Sequence, residues 1–173
     1  IYLSKKEILN SDYLFDSVII SSFPSVHIEN LKDFKNKSKS FLVEKPITNQ
    51  IDYLKNKEFL ELNKKIDIKE CLMYIHHPIY SQLQEILNNN KIEKIISSFK
   101  TPHVEKNNYR YSRQSGGSSL LDQGIYPISL ILENFKINEN SIVSSISNEK
   151  GLNIDTGGTL ACKSSTGVDI EIN

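Results

Sequence analysis

Short apolar runs separated by polar segments predict alternating strands and helices in the first half of the chain. Residues 17–22 (SVIISS), with three apolar residues at their centre, and the continuous apolar run 41–43 (FLV) are typical of buried parallel strands. Residues 26–36 between them carry apolar positions at helical spacing. A strand, a helix and a second strand in this order predict a parallel pair joined by a right-handed crossover.

The pattern continues and then changes character. Residues 49–65 predict one helix capped by Asn49, and residues 66–74 predict a third strand. The later segments are a helix at 79–88, a strand at 95–100, a polar loop at 101–115, a helix at 116–132 and strand-like runs at 141–147, 159–163 and 168–172. The chain is therefore predicted to have an α/β part followed by an α+β part, with the boundary near residue 75.

Composition excludes several classes of function. Lys and Arg number 21, and Asp and Glu also number 21, so zero net charge predicts neither a nucleic-acid partner nor binding to an anionic membrane. No apolar run approaches the roughly 20 residues needed to span a bilayer. Cys71 and Cys162 are distant in sequence and predict buried thiols in a reducing cytoplasm. The adjacent His76 and His77 point in opposite directions on a strand, so no metal site is predicted.

The second predicted strand ends on Glu44, Lys45 and Pro46. Proline stops the strand and leaves the acid and the base at its carboxyl end, which is where ligands bind in open α/β sheets. A lysine that loses solvation in such a crevice acquires a lowered pKa suited to proton transfer. The alternative is a solvated surface pair with no role in chemistry.

A second group of candidate residues lies in the helix that follows the glycines. Asp122 and Tyr126 are four residues apart and share a helix face. Gly124 and Pro127 both weaken a helix, so stability yields to another requirement here. We predict either close approach of a backbone or flat ligand at Gly124, or a tyrosine packed at a domain junction with its hydroxyl bonded to Asp122.

These segments together resemble the Gfo/Idh/MocA oxidoreductases. FLVEKPIT (41–48), HPIYSQLQEILNNNKIEKI (77–95) and GGSSLLDQGIYP (116–127) occur in that family's order, and VIISSFPSVH (18–27) is similar to its preceding strand and turn. The resemblance implies an α/β fold: a partial Rossmann domain with a parallel sheet (1–75), then a partial α+β domain with an open, mainly antiparallel sheet (76–173). A G-x-G-x-x-G loop does not occur, so we expect a fragment of such an enzyme.

The resemblance also implies a cofactor, NAD or NADP, and residues that bind it. Ser22 and Phe23 would lie near the dinucleotide, with His27 opening the next helix. Glu44 would contact the nicotinamide-ribose region. Lys45 and Pro46 would form a peptide bond that is often cis in relatives, with the lysine touching the substrate oxygen.

The same resemblance implies hydride transfer between the nicotinamide and a sugar carbonyl or hydroxyl. Asp122 and Tyr126 match the family's D-x-G-x-[HY] element, with Tyr126 as proton donor or acceptor. Members with tyrosine at this position include ketoreductases of nucleotide-linked sugars. A homo-oligomer formed through the C-terminal sheet is expected as well.

One position departs from the family pattern. Relatives often carry arginine where this chain has Ile75, so the substrate pocket is expected to differ. Arg110 and Arg113 are candidates to supply the missing charge, because guanidinium binds phosphate or carboxylate bidentately; the alternative is that both are ordinary loop arginines. Two other functions remain open: a relative that senses dinucleotide or sugar without turnover, and an inert fragment.

Overall fold

The structure is a computed structural model that describes residues 3–102, 104–105 and 107–173. The chain divides into two compact units, Ile1–Cys71 and Leu72–Asn173. The first is an α/β unit and the second an α+β unit, and both parts of the predicted fold class are confirmed.

Unit 1 is built on a three-stranded parallel sheet with strand order β1-β2-β3. Val18–Phe41 and Val43–Glu70 are opposed pairs in its register. Its strands are β1 (Val18–Ile20), β2 (Ser40–Glu44) and β3 (Asp67–Cys71), and its α-helices are α1 (Lys5–Asn10), α2 (His27–Phe34) and α3 (Lys57–Asn63).

The core of unit 1 lies under the middle strand. Phe41 and Val43 alternate inward along β2 and are almost wholly inaccessible. Leu31 of α2 is fully buried against them, and Leu62 of α3 completes the same cluster with Ile66. Burial of these side chains fixes the carboxyl end of β2, because a shift by one residue would turn every core side chain outward.

Two predicted elements of unit 1 have different bounds in the structure. The single helix expected over 49–65 is a 3₁₀ turn (Ile51–Lys55) followed by α3. The break falls at Asn56, whose side chain accepts a hydrogen bond from the Glu58 amide and so caps a new helix. The strand expected to reach residue 74 ends at Cys71, and a 3₁₀ turn (Met73–His76) precedes the next helix.

Unit 2 contains a four-stranded sheet in the order β4-β7-β6-β5. The β4–β7 pair is parallel and the other two pairs are antiparallel, so the sheet is mainly antiparallel as expected. Its elements are α4 (Pro78–Asn89), α5 (Ile125–Asn134), β4 (Lys94–Ser97), β5 (Ile137–Ser147), β6 (Gly157–Ser164) and β7 (Asp169–Ile172).

Helix α5 packs on one face of this sheet. Ile131 of the helix contacts a buried cluster that includes Cys162 of β6 and Ile170 of β7. A π-helical turn, Leu120–Gly124, immediately precedes α5. This wider turn explains how Pro127 is tolerated near the start of the helix, since proline removes one backbone donor and crowds the preceding turn.

Both cysteines are free thiols, and only Cys162 is fully buried. Across the described ranges of the chain, no helix is long and apolar enough to cross a lipid bilayer.

Candidate active site

The carboxyl ends of the three parallel strands in unit 1 gather several of the predicted residues. Ser22 and Phe23 follow β1, and the Phe23 side chain is 52% exposed. Glu44 ends β2, and the next peptide bond, Lys45–Pro46, is cis as the resemblance implied. These groups therefore lie at the sheet edge where open α/β folds bind ligands.

His27 lies beneath this edge. It is fully buried at the start of α2. Its Nδ1 is 2.9 Å from the Pro46 carbonyl oxygen, and its Nε2 is 2.9 Å from the Ser22 carbonyl oxygen. A neutral imidazole donates to one of these oxygens, and the protonated ring donates to both. His27 thus contacts backbone that follows β1 and β2, and its buried ring presents no surface to a dinucleotide.

Glu70 of β3 was not identified from the sequence. Its Oε1 accepts a hydrogen bond of 2.7 Å from the Ile47 amide, directly after the Lys45–Pro46 peptide. Burial raises the pKa of this carboxyl, and the Ile47 hydrogen bond and the nearby charges of His27 and Lys45 oppose the rise. The sequence signal for Glu70 was a charged residue near the carboxyl end of the predicted strand that follows Glu44 and Lys45. The carboxyl ends of parallel strands meet at one edge of the sheet.

Glu44 interacts with two neighbours at the same edge. One carboxylate oxygen accepts from the Lys45 amide at 3.2 Å. Glu44 is also paired in register with Cys71, and burial together with the Glu44 charge and hydrogen bond raises the pKa of the Cys71 thiol. A rise in this pKa favours the protonated thiol, which can donate to the Glu44 carboxylate.

In unit 2, Tyr126 belongs to an aromatic cluster. Its ring stacks on Phe99 with centroids 4.9 Å apart, and Tyr74 meets it edge-on at 6.3 Å. The Tyr74 hydroxyl lies 3.0 Å from the Ser129 hydroxyl, one turn along α5. Burial raises the pKa of Tyr74, with the Ser129 hydrogen bond opposing it. The cluster fixes the plane of the Tyr126 ring by contacts on two sides.

Asp122 pairs with one of the two arginines. The Arg110 Nε donates to Asp122 Oδ2 at 2.6 Å, and the carboxylate is only 14% exposed. Burial lowers the pKa of Arg110, but the hydrogen bond and charge of Asp122 outweigh it and raise the pKa. An ionised Tyr126 would act on the pKa of Arg110 in the same direction, so the guanidinium lies within electrostatic range of both predicted residues of the helix.

Gly117 explains how the Arg110 segment reaches Asp122. A Cβ at this position would lie 2.2 Å from the Arg110 carbonyl oxygen, closer than any side chain allows. The preceding Gly116 has φ of 89°, a left-handed conformation that favours glycine. The glycine pair lets the loop pack directly against the backbone before the π-helical turn.

Arg113 lies apart from the Arg110–Asp122 pair, and the close contact expected at Gly124 comes from a different group. The Arg113 guanidinium is exposed and is 3.5 Å from the Asn153 side-chain oxygen, so it is not placed with Arg110 on Asp122. The nearest atom to a Cβ at Gly124 would be Leu120 Cδ1 at 3.2 Å. The close approach at Gly124 therefore comes from a side chain of the preceding turn and not from another backbone.

A polar cavity of about 270 Å³ borders the Arg110–Asp122 pair. Its other polar lining groups include Ser118, Gln123 and Asp155. Asp155 also accepts a 2.6 Å hydrogen bond from the Leu120 amide, at the start of the π-helical turn. Hydroxyl, amide and carboxylate groups around one cavity are suited to a polyhydroxylated ligand.

Comparison with known proteins identifies the class of the fold. The chain matches none of the protein-family models with which it was compared. A solved 3-ketoreductase of Actinomadura kijaniata, crystallised with NADP and TDP-benzene, superposes with a TM-score of 0.81 over 99% of this chain and 53% of its own, at 22% identity. A myo-inositol 2-dehydrogenase of Lactobacillus plantarum gives 0.79 over 99% and 53%, at 18% identity. The fold is that of these Rossmann-type oxidoreductases.

Comparison with curated proteins adds a sequence similarity to sugar reductases. The dTDP-3,4-didehydro-2,6-dideoxy-α-D-glucose 3-reductase of Actinomadura kijaniata is 29% identical over 116 residues, 65% of this chain and 35% of the enzyme. The Saccharopolyspora spinosa enzyme of the same name is 24% identical over 156 residues, 88% of this chain and 47% of its own. The resemblance to Gfo/Idh/MocA oxidoreductases is confirmed, and the chain spans half or less of the length of these curated relatives.

Proposed function

We propose that this chain supplies the later half of a dinucleotide-binding domain (1–75) and part of a substrate domain (76–173) of a sugar ketoreductase. The observation that carries the proposal is the delivery of Glu44 and Lys45 to the carboxyl edge of a parallel sheet. The similarity to dTDP-sugar 3-reductases supports both the reaction and the substrate class.

The edge fits a nicotinamide dinucleotide, NAD or NADP. Phe23 is 52% exposed after β1, and Ser22 is exposed beside it. Glu44 is half-buried and would meet the nicotinamide-ribose region, with Lys45 and Pro46 following it. A bound reduced nicotinamide supplies the hydride.

The side chains of this chain would handle the proton and the developing charge. Tyr126 would donate its phenolic proton to the carbonyl oxygen, and the aromatic cluster around it sets the direction of the hydroxyl. Lys45 would stabilise negative charge that develops on the substrate. Asp122 would act through Arg110, because the ion pair places a cation close to the tyrosine.

A nucleotide-linked sugar is the proposed substrate. The polar cavity beside Arg110 and Asp122 supports a sugar ligand. Arg113 is exposed and suited to an anionic group such as phosphate. Ile75, where relatives often have arginine, is 38% exposed and adds apolar surface instead of charge.

The proposal includes a homo-oligomer formed through the C-terminal sheet, in the cytoplasm. Strand β5 is an edge strand of 11 residues, and Ile142, Val143 and Ile146 on it are 45%, 70% and 58% exposed. Long edge strands with apolar side chains favour pairing with another chain. Two free thiols are consistent with a reducing compartment. Light scattering at several protein concentrations measures the oligomeric state.

The test of function compares dinucleotide binding with turnover. Fluorescence titration with NADH and NADPH is run on this chain and on any longer protein that carries it, followed by turnover of dTDP-linked keto sugars. We expect Lys45→Ala to lower kcat by roughly 10²–10⁴-fold while the dinucleotide Kd changes little. Lys39→Ala, at the amino end of the same strand, is the matched control and is expected to leave both unchanged.

Three results would contradict the proposal in different ways. Equal loss of kcat and dinucleotide affinity in Lys45→Ala would remove Lys45 from proton chemistry. Dinucleotide binding without turnover of any keto sugar would favour a sensing relative. Absence of dinucleotide binding in every protein tested would remove the oxidoreductase assignment altogether.

A further inference from the structure

Two consecutive backbone groups after Lys45 are each bound by an ionisable side chain. The Pro46 carbonyl faces Nδ1 of His27 at 2.9 Å, and the Ile47 amide donates to Glu70 at 2.7 Å. The two side chains come from different elements, the start of α2 and the end of β3. The segment that carries Lys45 is therefore fastened from two sides.

Burial of the polar His27 and Glu70 side chains costs free energy. His27 has no exposed surface, and burial raises the pKa of Glu70. A buried polar or charged group is favourable only when it makes defined hydrogen bonds, and apolar packing would stabilise the same space more simply. The cost is therefore consistent with a requirement for one fixed position of the backbone next to Lys45.

His27 also extends this link to the first strand. Its Nε2 lies 2.9 Å from the Ser22 carbonyl oxygen, in the turn that follows β1. Thus Ser22 after β1, Pro46 and Ile47 after β2, and Glu70 on β3 are linked, through His27 and one peptide group, by a connected set of close polar contacts. The set runs across the carboxyl edge of the sheet, beneath the residues proposed to meet the dinucleotide.

We propose that His27 and Glu70 are positioning residues for Lys45, holding the backbone that directs its ammonium toward the reacting oxygen. The inference rests on the proposed function for its catalytic consequence, since Lys45 is there the group that stabilises negative charge. The positioning itself depends only on the hydrogen bonds to Pro46 and Ile47 and is measurable without any activity.

The first measurement is hydrogen exchange at the Ile47 amide, followed by NMR. Glu70→Leu removes the acceptor, and Glu70→Gln keeps an oxygen that can accept from the same amide. We expect exchange to quicken about tenfold or more in Glu70→Leu and to stay close to wild type in Glu70→Gln. Ser38→Ala is the matched control, because Ser38 is a buried polar residue at the amino end of β2 that bonds Asp16 and Ser40.

The second measurement separates kcat from KM in the active protein. We expect Glu70→Leu and His27→Phe to lower kcat about 10–100-fold at nearly unchanged KM and dinucleotide Kd. Glu70→Gln and His27→Asn each keep one hydrogen-bonding group toward the loop and are expected to recover most of kcat. Ser38→Ala is expected to lower stability without lowering kcat.

The outcomes distinguish this inference from the proposed function. Equal exchange at Ile47 in all four proteins would overturn the positioning role of Glu70, whatever the activity. If exchange at Ile47 quickens in Glu70→Leu as expected, but Glu70→Leu and His27→Phe keep the wild-type kcat, the proposed link between this positioning and Lys45 would be overturned. If wild type turns over no keto sugar, the proposed function fails, and the exchange data still decide whether the backbone is held.

Discussion

At the scale of single residues, the site depends on positions that carry little chemistry of their own. Gly117 is the clearest case, because its missing Cβ is what lets the Arg110 carbonyl approach. Arg110 in turn reaches Asp122 at 2.6 Å. The arginine and the acid were both identified in the sequence, but their pairing was not, since their separation of 12 residues spans an irregular loop.

Gly117→Ala is expected to destabilise unit 2 and to loosen the Arg110–Asp122 ion pair. The added methyl group must displace backbone, and overpacking of this kind costs about 1–3 kcal/mol. Gly167→Ala is the comparison for backbone strain alone, since Gly167 has positive φ but nothing within 4 Å of a Cβ. Chemical denaturation measures both. A free energy of unfolding of Gly117→Ala equal to that of wild type would show that the contact with Arg110 is unimportant.

Glu70 predicts a characteristic dependence of stability on pH. A carboxyl whose pKa is raised in the folded state contributes stability below its ordinary pKa of 4.5, and that contribution is lost as pH rises through the raised value. Glu70→Gln removes this loss. The free energy of unfolding of Glu70→Gln relative to wild type is therefore expected to increase as pH rises from 4.5 through the raised pKa, by at most about 1.4 kcal/mol per pH unit.

Denaturation curves at several pH values test this expectation, with Glu61→Gln as an exposed control whose difference from wild type should not follow the same trend. A difference for Glu70→Gln that falls with rising pH would mean that hydrogen bonding and nearby cations outweigh burial at this carboxyl.

At the scale of elements, the apolar pattern predicted which segments are strands and helices, and polar side chains decided where they end. Leu31, Phe41 and Val43 fall in the core as their spacing requires. The helix expected over 49–65 was wrong as one element, because Asn56 caps a new helix within it. The apolar spacing in the sequence does not distinguish the π-helical turn before α5 from an α-helix, and only Pro127 indicated a local change there.

The backbone donors at the start of the π-helical turn are bound by a residue from a distant loop. The Asp155 carboxylate accepts from the Leu120 amide at 2.6 Å, and the Asp155 carbonyl oxygen accepts from the Ser119 amide at 3.1 Å. Backbone donors at a helix start have no partner within the helix. Asp155 therefore acts as a cap supplied by another part of unit 2.

Removal of this cap is expected to cost about 0.5–2 kcal/mol of unfolding free energy in Asp155→Ala. Asp155→Asn retains an oxygen acceptor and is expected to lose less. Asp12→Ala, an exposed acid in unit 1, is the control for simple loss of charge. If Asp155→Asn and Asp155→Ala were equally destabilised in thermal melts, the negative charge rather than the hydrogen bond would be the stabilising feature.

At the scale of the whole molecule, the order of motifs along the chain predicted the fold class, which the structure confirmed in both units. The two hydrophobic clusters, one in each unit, share no residue. The sequence could not predict contacts made by irregular segments, whether between distant residues such as Asp155 and Leu120 or within one loop, as for Arg110 and Gly117.

Matched substitutions in the two clusters are expected to be additive. Ile20→Val in unit 1 and Ile170→Val in unit 2 each remove one methyl group from a buried side chain, at a cost of about 0.5–1.5 kcal/mol. The double variant should equal the sum within about 0.5 kcal/mol, as measured by chemical denaturation. A larger deviation would show that the clusters are energetically coupled.

The register of β2 against β3 has a consequence for recombination between relatives. Val43 lies opposite Glu70, and Glu44 lies opposite Cys71. A chimaera that joins β2 of one parent to β3 of another keeps Glu70 under Ile47 only if both parents share this register. A single-residue deletion within β3 would bring Lys69 or Cys71 to that place and exchange an acceptor for a donor. Crossover points for gene shuffling therefore belong before β2 or after β3, so that the two strands are inherited as one block.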